Sequence, residues 1–537
     1  MDSHCIPFTD IPHSTRLFVD YLYNFSRVAD FYPHEPFANG GIARSKVEPL
    51  EPARRQAVAD VLAVQNGVFG GGEKTQENIR RLREGLAVAV VTGQQAGLFG
   101  GPAYSVYKAM TAMRLAERMS SEGTPAVPVF WLASEDHDIA EVNHSEVLDS
   151  QRYPLALRDA SHSGSDVPVG QVFFDASIEG LKARLLGVWA RELASEGVNL
   201  LSGYTPGKSY AEAFGCLLQR LFAGRGLVVL DPGHAALHAL SRPLLRRALE
   251  EAAELRELIR QRDRALDKAG YHVQVRLREN ATLLFVLVDG HRVPLRRRGL
   301  GFHLEGQGEQ SAAALLDWLE REPERFSANV LLRSLIQDSL LPTAAYVAGP
   351  AEVAYFAQAS ALYERLLGRM PVIIPRASLT LVEPAVRRLL ERYRLGLPDL
   401  FHGRSAVRRR LGERHLPPRL LRRLERTETK IEKLLAETTG EVAKLDPTLG
   451  GAADTSRRKM LYQFGKLRGK AARAQAERTG VIERHLDTLF HSLYPERALQ
   501  ERRLNFLSFV ARHGAELVTR LFEQASFPCR DHQVFFL

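Results

Sequence analysis

The sequence of 537 residues predicts an α/β protein with a parallel, doubly wound sheet followed by a long helical region. Three observations predict this fold. Apolar runs rich in valine alternate with helix-like segments up to about residue 385, several runs end in turns that carry glycine or acidic residues, and long helices follow from about residue 387. In successive βα units each helix returns the chain to the end of the sheet where the previous strand began. The strands therefore lie parallel in one sheet.

The predicted strands are buried on both faces, because their apolar residues continue without the alternation of a half-exposed strand. A helix is predicted at 103–119, where apolar residues recur at helical spacing and Pro102 suits the first turn. The strands are predicted at 86–91, 127–133, 226–232, 344–350 and 371–375.

Two long stretches, 152–205 and 266–327, do not fit this alternation. We interpret them as insertions in a sheet domain that spans 1–386. The second stretch contains a predicted hairpin, since an apolar run ends in Asp289-Gly290 and another run follows at once.

The region 387–500 is predicted to be a helical coiled-coil hairpin. Its apolar residues follow a seven-residue repeat that is broken at 445–451 by Asp-Pro and Gly-Gly, which indicates an antiparallel turn. A hairpin this long has too little core of its own, so we predict that it forms a homodimer. The segment 501–537 is expected to pack back on the sheet domain.

Composition favours a cytoplasmic protein with reduced thiols. No apolar run reaches the roughly 18 to 20 residues that span a bilayer, and the N-terminus does not resemble a signal peptide. Cys5, Cys216 and Cys529 are far apart, which argues against a disulfide framework or a zinc knuckle. The segment 404–426 contains nine arginines, which we interpret as a solvated helix face or an intersubunit rim, with phosphate or nucleic-acid binding as the alternative.

The first polar concentration follows the first predicted strand, at 92–97. Its small residues let the backbone approach a ligand, and its two glutamines offer donors and acceptors. On the next helix Tyr104 and Lys108 are four residues apart and share one face, where the lysine can meet an anion. The predicted substrate-binding residues here are Thr92, Gly93, Gln94, Gln95, Tyr104 and Lys108.

The second concentration, Glu-Asp-His-Asp at 135–138, directly follows the second predicted strand. Desolvation and like-charge repulsion shift pKa values in such a cluster, which suits a general base or the recognition of an ammonium group. A solvated acidic turn is one alternative. A divalent metal on Asp136, His137, Asp138 and His144 is another, but the spacing matches no metal motif and no metal site is predicted.

The third polar concentration, 332–358, also places polar residues next to a predicted strand. A Gly-Pro turn at the end of the strand leads into a helix with polar residues on its first turns. Two such βα turns that face each other across a switch point enclose a crevice. We therefore also predict as substrate-binding residues Asn143, Gln337, Asp338, Thr343, Gly349, Glu352 and Tyr355.

In these three polar concentrations the chain resembles the BshC family, the cysteine ligases of bacillithiol biosynthesis. The resemblance covers essentially the whole chain, and the combination of motifs is highly specific. It implies a Rossmann-like core with two connecting-peptide insertions and a C-terminal coiled coil that dimerises. The matching motifs are Thr92-Gly-Gln-Gln-x-Gly-Leu-x-x-Gly-Pro-x-Tyr-x-x-Tyr-Lys108, Pro128-Val-Phe-Trp-x-Ala-Ser-Glu-Asp-His-Asp138 with Glu141 and Asn143-His144, Gln337-Asp-x-Leu-Leu-Pro-Thr343, Gly349-Pro-Ala-Glu-x-Ala-Tyr355, Leu493-Tyr-Pro and Leu499-Gln-Glu-Arg502.

The resemblance implies the last step of bacillithiol biosynthesis, in which an amide forms between the carboxyl of L-cysteine and the amine of glucosaminyl-malate. Amide formation at neutral pH needs a deprotonated amine and an activated carboxylate, so ATP is the expected cofactor. The chain lacks the His-x-Gly-His and Lys-Met-Ser-Lys-Ser motifs of class I aminoacyl-tRNA synthetases. A tRNA- or nucleotide-acting enzyme and a non-catalytic scaffold in thiol biosynthesis are the alternatives.

Roles in this reaction follow as a hypothesis. His137 or Asp138 accepts the proton of the amine, and Asp136 or Glu135 holds an ammonium group. The lysine of the first concentration, together with Arg376, meets malate carboxylates or phosphates. The expected partners are the two substrates and a second copy of the chain, with no membrane and no nucleic acid.

Overall fold

The fold is described from a computed structural model, which describes residues 2–38, 47, 50–162, 167–414 and 416–537. The described chain divides into two compact units. The first comprises Met1–Ser150, Pro154–Thr380 and Glu501–Phe535, and the second comprises Gln151–Tyr153, Leu381–Gln500 and Phe536–Leu537. Among the described residues no helix is both long and apolar enough to cross a membrane.

The strands of the described chain are named in chain order. They are β1 (Ser3–Ile6), β2 (Val88–Gln94), β3 (Ala126–Leu132), β4 (His144–Leu148), β5 (Pro154–Arg158), β6 (Val228–Leu230), β7 (Ala281–Val288), β8 (His291–Arg298), β9 (Gly301–Leu304), β10 (Gly308–Gln310), β11 (Phe326–Ala328), β12 (Thr343–Ala348), β13 (Val372–Pro375), β14 (Ser378–Val382) and β15 (His532–Phe536).

The α-helices of the described chain are named in the same way. They are α1 (Arg16–Tyr23), α2 (Pro52–Phe69), α3 (Glu73–Glu84), α4 (Tyr104–Ser121), α5 (Ile139–Val142), α6 (Ser177–Leu186), α7 (Ala194–Leu200), α8 (Tyr210–Leu221), α9 (Ala235–Glu250), α10 (Ala252–Lys268), α11 (Ala312–Arg321), α12 (Val330–Leu340), α13 (Pro350–Leu366), α14 (Pro384–Tyr393), α15 (Leu397–Phe401), α16 (Arg404–Arg414), α17 (Pro418–Leu445), α18 (Gly450–Thr479), α19 (Val481–Leu493), α20 (Gln500–Arg503), α21 (Leu507–His513) and α22 (Glu516–Gln524).

The central sheet of the first unit has the order β13-β12-β2-β3-β6, and every neighbouring pair is parallel. The predicted parallel sheet is therefore confirmed, with strand bounds that differ from the predicted ones by a few residues. Helix α4 packs Ala112, Ala116 and Met119 against Val90 and Val347 of the sheet. Burial of each large side chain in such a core contributes about 1.5 to 3 kcal/mol. The core thereby holds the carboxyl ends of β2, β3 and β12 at one edge.

The predicted hairpin of the second insertion is confirmed and extends to a five-stranded antiparallel sheet, β10-β9-β8-β7-β11. Asp289 and Gly290 join β7 to β8 with φ values of 50° and 81°. Positive φ at both residues is what a two-residue hairpin turn requires, and it explains the Asp-Gly pair. The first predicted insertion, 152–205, contains β5, α6 and α7, and its residues 163–166 lie outside the described residues.

The C-terminal segment of the first unit ends in β15, which pairs antiparallel with β1, with Ser3 opposite Phe535. A third sheet results, in the order β1-β15-β14. Residues from Glu501 to Phe535 thus form part of the same unit as the central sheet.

The second unit is helical. Its helices α17 and α18 form a hairpin whose turn, at Pro447–Leu449, lies where the seven-residue repeat is broken. Asp446 accepts a hydrogen bond from the backbone N–H of Thr448 at 2.8 Å, which stabilises the turn. Arg468 of α18 donates to Glu428 of α17 at 3.0 Å and ties the two helices together.

The basic segment 404–426 belongs to this helical unit. Arg404 and Arg408 form ion pairs with Glu483, at 3.0 and 2.6 Å, and Arg410 pairs with Asp399. Three of the nine arginines are therefore neutralised within their own unit. The interpretation of the whole segment as a solvated helix face or an intersubunit rim stays a prediction.

Candidate active site

A cavity of about 700 Å³ lies at the carboxyl edge of the central sheet. The chain runs from β2 to β3 and β6 on one side and places β12 and β13 on the other, so the strand order reverses between β2 and β12. Ligands of open α/β sheets bind at such a switch point. The inserted antiparallel sheet contributes the opposite wall, with Phe285 and Arg292.

The floor of the cavity contains a buried ion pair between Lys108 and Glu352. The lysine is only 1% exposed, and its Nζ donates to Glu352 Oε2 at 2.5 Å and to the carbonyl oxygen of Gly93. Glu352 also accepts from the hydroxyl of Tyr346 at 2.7 Å and from the N–H of Gly349 at 2.7 Å. Burial lowers the pKa of Lys108, and Glu352 opposes that shift. The pair connects α4 to the start of α13.

An acidic wall follows β3. Asp136 accepts at Oδ1 from the N–H of His137 at 2.8 Å and at Oδ2 from the side chain of Gln95 at 3.1 Å. Asp138 caps α5, where it accepts from the N–H of Glu141 at 3.2 Å. Glu135 also lines the cavity, and its Oε1 lies 3.4 Å from Nε2 of His238 in α9, a residue outside the cavity lining. The wall therefore presents carboxylates to the crevice, as the recognition of an ammonium group requires.

The imidazole of His137 is held by Arg292. Nη1 of this arginine lies 3.3 Å from His137 Nδ1 and 3.6 Å from Asp136 Oδ1, and its guanidinium lies over the ring of Phe285 at 3.9 Å. A guanidinium can only donate, so Nδ1 of the histidine accepts and the neutral ring carries its proton at Nε2. His137 therefore offers the crevice an N–H donor.

A second buried network lies behind the crevice. Arg376 forms a bidentate ion pair with Glu501, at 2.6 and 3.0 Å, and its guanidinium lies 5.3 Å from the ring centre of Tyr104. Glu501 is 1% exposed and also accepts from Ser378 and from the N–H of Leu379. Although burial opposes ionisation, Arg376 keeps the pKa of Glu501 below its ordinary value.

Two guanidinium groups of the crevice are available to an anion. Arg333 of α12 and Arg502 of α20 line the cavity, and among the described residues no carboxylate lies within 4 Å of either guanidinium. The first residues of α13, Pro350 and Ala351, line it as well. Proline has no N–H and the N–H of Gly349 donates to Glu352, so Ala351 offers its N–H at the positive end of the helix dipole on this side of the crevice.

The crevice brings together twelve of the predicted site residues. They are Gly93, Gln94, Gln95, Tyr104, Lys108, Glu135, Asp136, His137, Gly349, Glu352, Tyr355 and Arg376.

Other predicted residues do not line the cavity. Thr92 and Thr343 are fully buried and donate to the carbonyl oxygens of Val347 and Leu341. Asp338 is buried and accepts hydrogen bonds from the side chains of Tyr363 and Gln337. Gln337 lines only a separate, water-sized space. Asp138 and Asn143 also lie outside the lining. Apart from Asn143, whose buried Oδ1 has no hydrogen-bond partner, these side chains hold strands and turns in place around the site.

Sequence reasoning did not predict Arg292, Arg333 or Arg502 as site residues. Arg333 lies in the third polar concentration, and Arg502 ends one of the quoted motifs, so weak signals existed for both. Arg292 follows a hairpin turn in an insertion. Nothing in its local sequence distinguishes it from the other arginines of β8.

The fold and the crevice define this protein as an enzyme of the α/β class with its site at a topological switch point. Two family models match the chain. The N-terminal Rossmann-like domain of the bacillithiol-biosynthesis protein BshC matches 1–377, and the C-terminal coiled-coil domain of BshC matches 379–537. The chain belongs to the BshC family.

Curated relatives agree over their whole length. A protein of Koribacter versatilis is 43% identical to this chain, with 99% of each chain covered. One of Solibacter usitatus is 40% identical with the same coverage, and one of Salinibacter ruber is 34% identical over 96% of this chain and 95% of its own. Each carries the name "Putative cysteine ligase BshC".

Proposed function

We propose that this enzyme joins the carboxyl group of L-cysteine to the amine of glucosaminyl-malate, as the last step of bacillithiol biosynthesis. One observation carries the proposal. A single crevice is lined both by the guanidinium groups of Arg333 and Arg502 and by the carboxylates of Asp136 and Glu141. Glucosaminyl-malate has the complementary charges, with two carboxylates at one end and an amine at the other. We place the reaction in the cytoplasm, where free cysteine is available.

The residues have separate roles in this proposal. Arg333 and Arg502 bind the malate carboxylates, because charge-assisted hydrogen bonds are about twice as strong as neutral ones. Asp136 holds an ammonium group. His137, which presents Nε2–H, donates to the oxygen of the acyl group, where negative charge develops during attack. Lys108 and Arg376 already have carboxylate partners, and they position α13 and Tyr104 rather than bind substrate directly.

We include ATP in the proposal because a free carboxylate does not form an amide at neutral pH. The malate carboxylates occupy the two guanidinium groups in this proposal, so the phosphate chain would lie at the start of α13, where the N–H of Ala351 would hold it. When bound, ATP supplies a leaving group on the cysteine carboxyl. Within the described residues no group of three or more His, Cys, Asp or Glu side chains is arranged to hold a metal ion.

The test is a ligation assay with purified protein, L-cysteine, glucosaminyl-malate and ATP. We expect a product with the mass of both substrates less one water, detected by mass spectrometry. Arg333→Met should raise the KM for glucosaminyl-malate by about tenfold to a hundredfold, the value of one charge-assisted hydrogen bond. Absence of product in every reaction, combined with unchanged thiols in a strain that lacks the gene, would defeat the proposal.

We further propose that the helical unit forms a homodimer. Apolar side chains of the α17–α18 hairpin are exposed on the isolated chain, including Leu434, Leu445, Met460, Tyr462 and Leu467. Large apolar side chains that are exposed in this number on one pair of helices favour an interaction surface there.

If the hairpin forms the dimer interface, a charged substitution on it should lower the mass of the particle in solution. Leu434→Glu should convert a dimer to a monomer, because a carboxylate would have to be desolvated in the interface. Light scattering measures the mass, and Leu300→Glu, at a fully exposed turn of the other unit, is the matched control. A wild-type protein that is monomeric at micromolar concentration would contradict the homodimer.

A further inference from the structure

Glu141 differs from the other carboxylates of the crevice in its contacts. Glu352 is paired with Lys108, Asp136 lies near Arg292, and Glu135 contacts His238. For Glu141, no cationic side chain of the described chain lies within 4 Å. Its carboxylate is therefore free to take up a proton without breaking an ion pair.

The surroundings of Glu141 are built to face an amine. Gln95 donates to Asp136 at 3.1 Å, which fixes its amide group, and it lines the crevice together with Glu141. The Oε1 atom of this glutamine is buried and has no hydrogen-bond partner. Such an orphaned acceptor is costly unless a ligand donates to it. An ammonium or amine beside Glu141 can satisfy it.

The electrostatics of Glu141 suit a base. Its side chain is open to the water of the crevice, yet it is enclosed enough that burial raises its pKa. The carboxylates of Asp136 and Asp138 raise the pKa further, while the hydrogen bond from Gln95 and the charge of Arg333 oppose the shift. A base whose pKa moves towards neutrality transfers protons more effectively at physiological pH. Tyr104 faces Glu141 from α4, and burial raises the pKa of its phenol as well.

His137 is less suited to this role. Its Nδ1 accepts a hydrogen bond from Arg292 and its Nε2 carries the proton, so the ring has no free lone pair for the proton of an amine.

We propose that Glu141 is the catalytic base that accepts the proton of the substrate amine, a role that rests on the proposed ligase function. The ammonium group loses one proton to the Glu141 carboxylate and becomes a neutral amine. The nitrogen lone pair then forms the C–N bond to the activated carboxyl carbon, and the bond from that carbon to its leaving oxygen breaks with the electron pair on oxygen. The second proton of the nitrogen leaves to water as the amide forms.

The test compares the pH dependence of kcat in wild-type protein and Glu141→Gln. We expect kcat of the variant to fall by about a hundredfold or more near neutral pH, with KM for both substrates within about threefold. The rate of the variant should rise again above the pKa of the substrate amine, because the amine is then deprotonated without a base. A merely structural role would not produce this recovery.

Two further variants keep the result interpretable. Glu141→Asp retains a carboxylate and should keep at least tenfold more activity than Glu141→Gln near neutral pH. Glu122→Gln, at an exposed ion pair with Arg118 on α4, makes the same chemical change away from the crevice and should leave kcat unchanged. Circular dichroism checks that each variant is folded.

Each outcome decides one question. Wild-type product with an unchanged Glu141→Gln rate overturns the role of Glu141 and leaves the ligase function standing. A loss of kcat that is the same at every pH, in a folded variant with a raised KM, also overturns the role of Glu141. That pattern would assign Glu141 to substrate binding alone. An inactive wild-type enzyme overturns the ligase function and this role with it.

Discussion

Glu501→Gln is expected to lower the free energy of unfolding of the Rossmann-like unit by about 3 to 5 kcal/mol. The two carboxylate oxygens of Glu501 accept four hydrogen bonds, two from Arg376, one from Ser378 and one from the N–H of Leu379. Glutamine has only one acceptor oxygen, and its NH2 group would face donors. Arg376 would remain buried without a counter-charge, which costs more than the loss of the bonds alone.

Urea denaturation followed by circular dichroism measures this effect. The matched control is Glu122→Gln, where both partners are more than half exposed and the expected change is below about 1 kcal/mol. A change of similar size in both variants would contradict the assignment of Glu501 as the counter-charge. The pH dependence has a definite sign. Because the folded pKa of Glu501 is lowered, its contribution is complete above about pH 4.5 and is lost as the pH falls through the folded value.

His532 is expected to make the same unit sensitive to mild acid. The imidazole is 0% exposed and lies between Ser378 at 2.7 Å and Thr380 at 2.8 Å. Ser378 donates its hydroxyl hydrogen to Glu501, so it accepts from Nδ1–H of His532. The neutral ring then accepts from Thr380 at Nε2. Every polar atom of the uncharged ring is satisfied, and a second proton at Nε2 would replace the hydrogen bond that Thr380 donates.

Burial lowers the pKa of His532 from 6.5 to about 4. The charges that act on the ring are Glu501, which opposes the shift, and Arg376 and His4, which add to it. Between these two pKa values the unfolded chain binds a proton that the folded chain does not. Stability therefore falls as the pH decreases from about 6.5 to about 4, by on the order of 3 kcal/mol, and this contribution levels off below that range.

The variant His532→Gln tests this expectation. Glutamine does not titrate, so the slope of unfolding free energy against pH in this range should be smaller than in wild type. His291→Gln, at an exposed position of β8, is the control and should keep the wild-type slope. Equal slopes in wild type and His532→Gln would show that another group causes the acid sensitivity.

Local sequence was sufficient to predict most of the sheet and part of the site. Valine-rich runs that are apolar on both faces predict buried parallel strands, and Asp289-Gly290 predicts its hairpin because few residues adopt positive φ at both turn positions. Gln95, Asp136 and Glu352 were predicted as site residues because they follow strands whose carboxyl ends share one edge.

Other features required partners distant in sequence. Thr92 and Thr343 were predicted to bind substrate, but their hydroxyl groups bond to backbone carbonyl oxygens of the sheet. A sequence pattern cannot distinguish a threonine that points into a crevice from one that points between strands. Arg376 was predicted to meet an anionic substrate, and its anion proves to be Glu501, 125 positions away.

The sequence by itself determined the α/β class, the parallel strands and the family, because apolar periodicity, turn residues and contiguous motifs are local properties of the chain. Only the tertiary structure decided which groups surround each site residue and therefore which hydrogen bonds and ion pairs it forms. Arg292 donates a hydrogen bond to Nδ1 of His137. Among the described residues neither Arg333 nor Glu141 forms an ion pair. Long-range packing sets these differences, because the pKa and the hydrogen-bonding role of a side chain depend on which distant groups surround it.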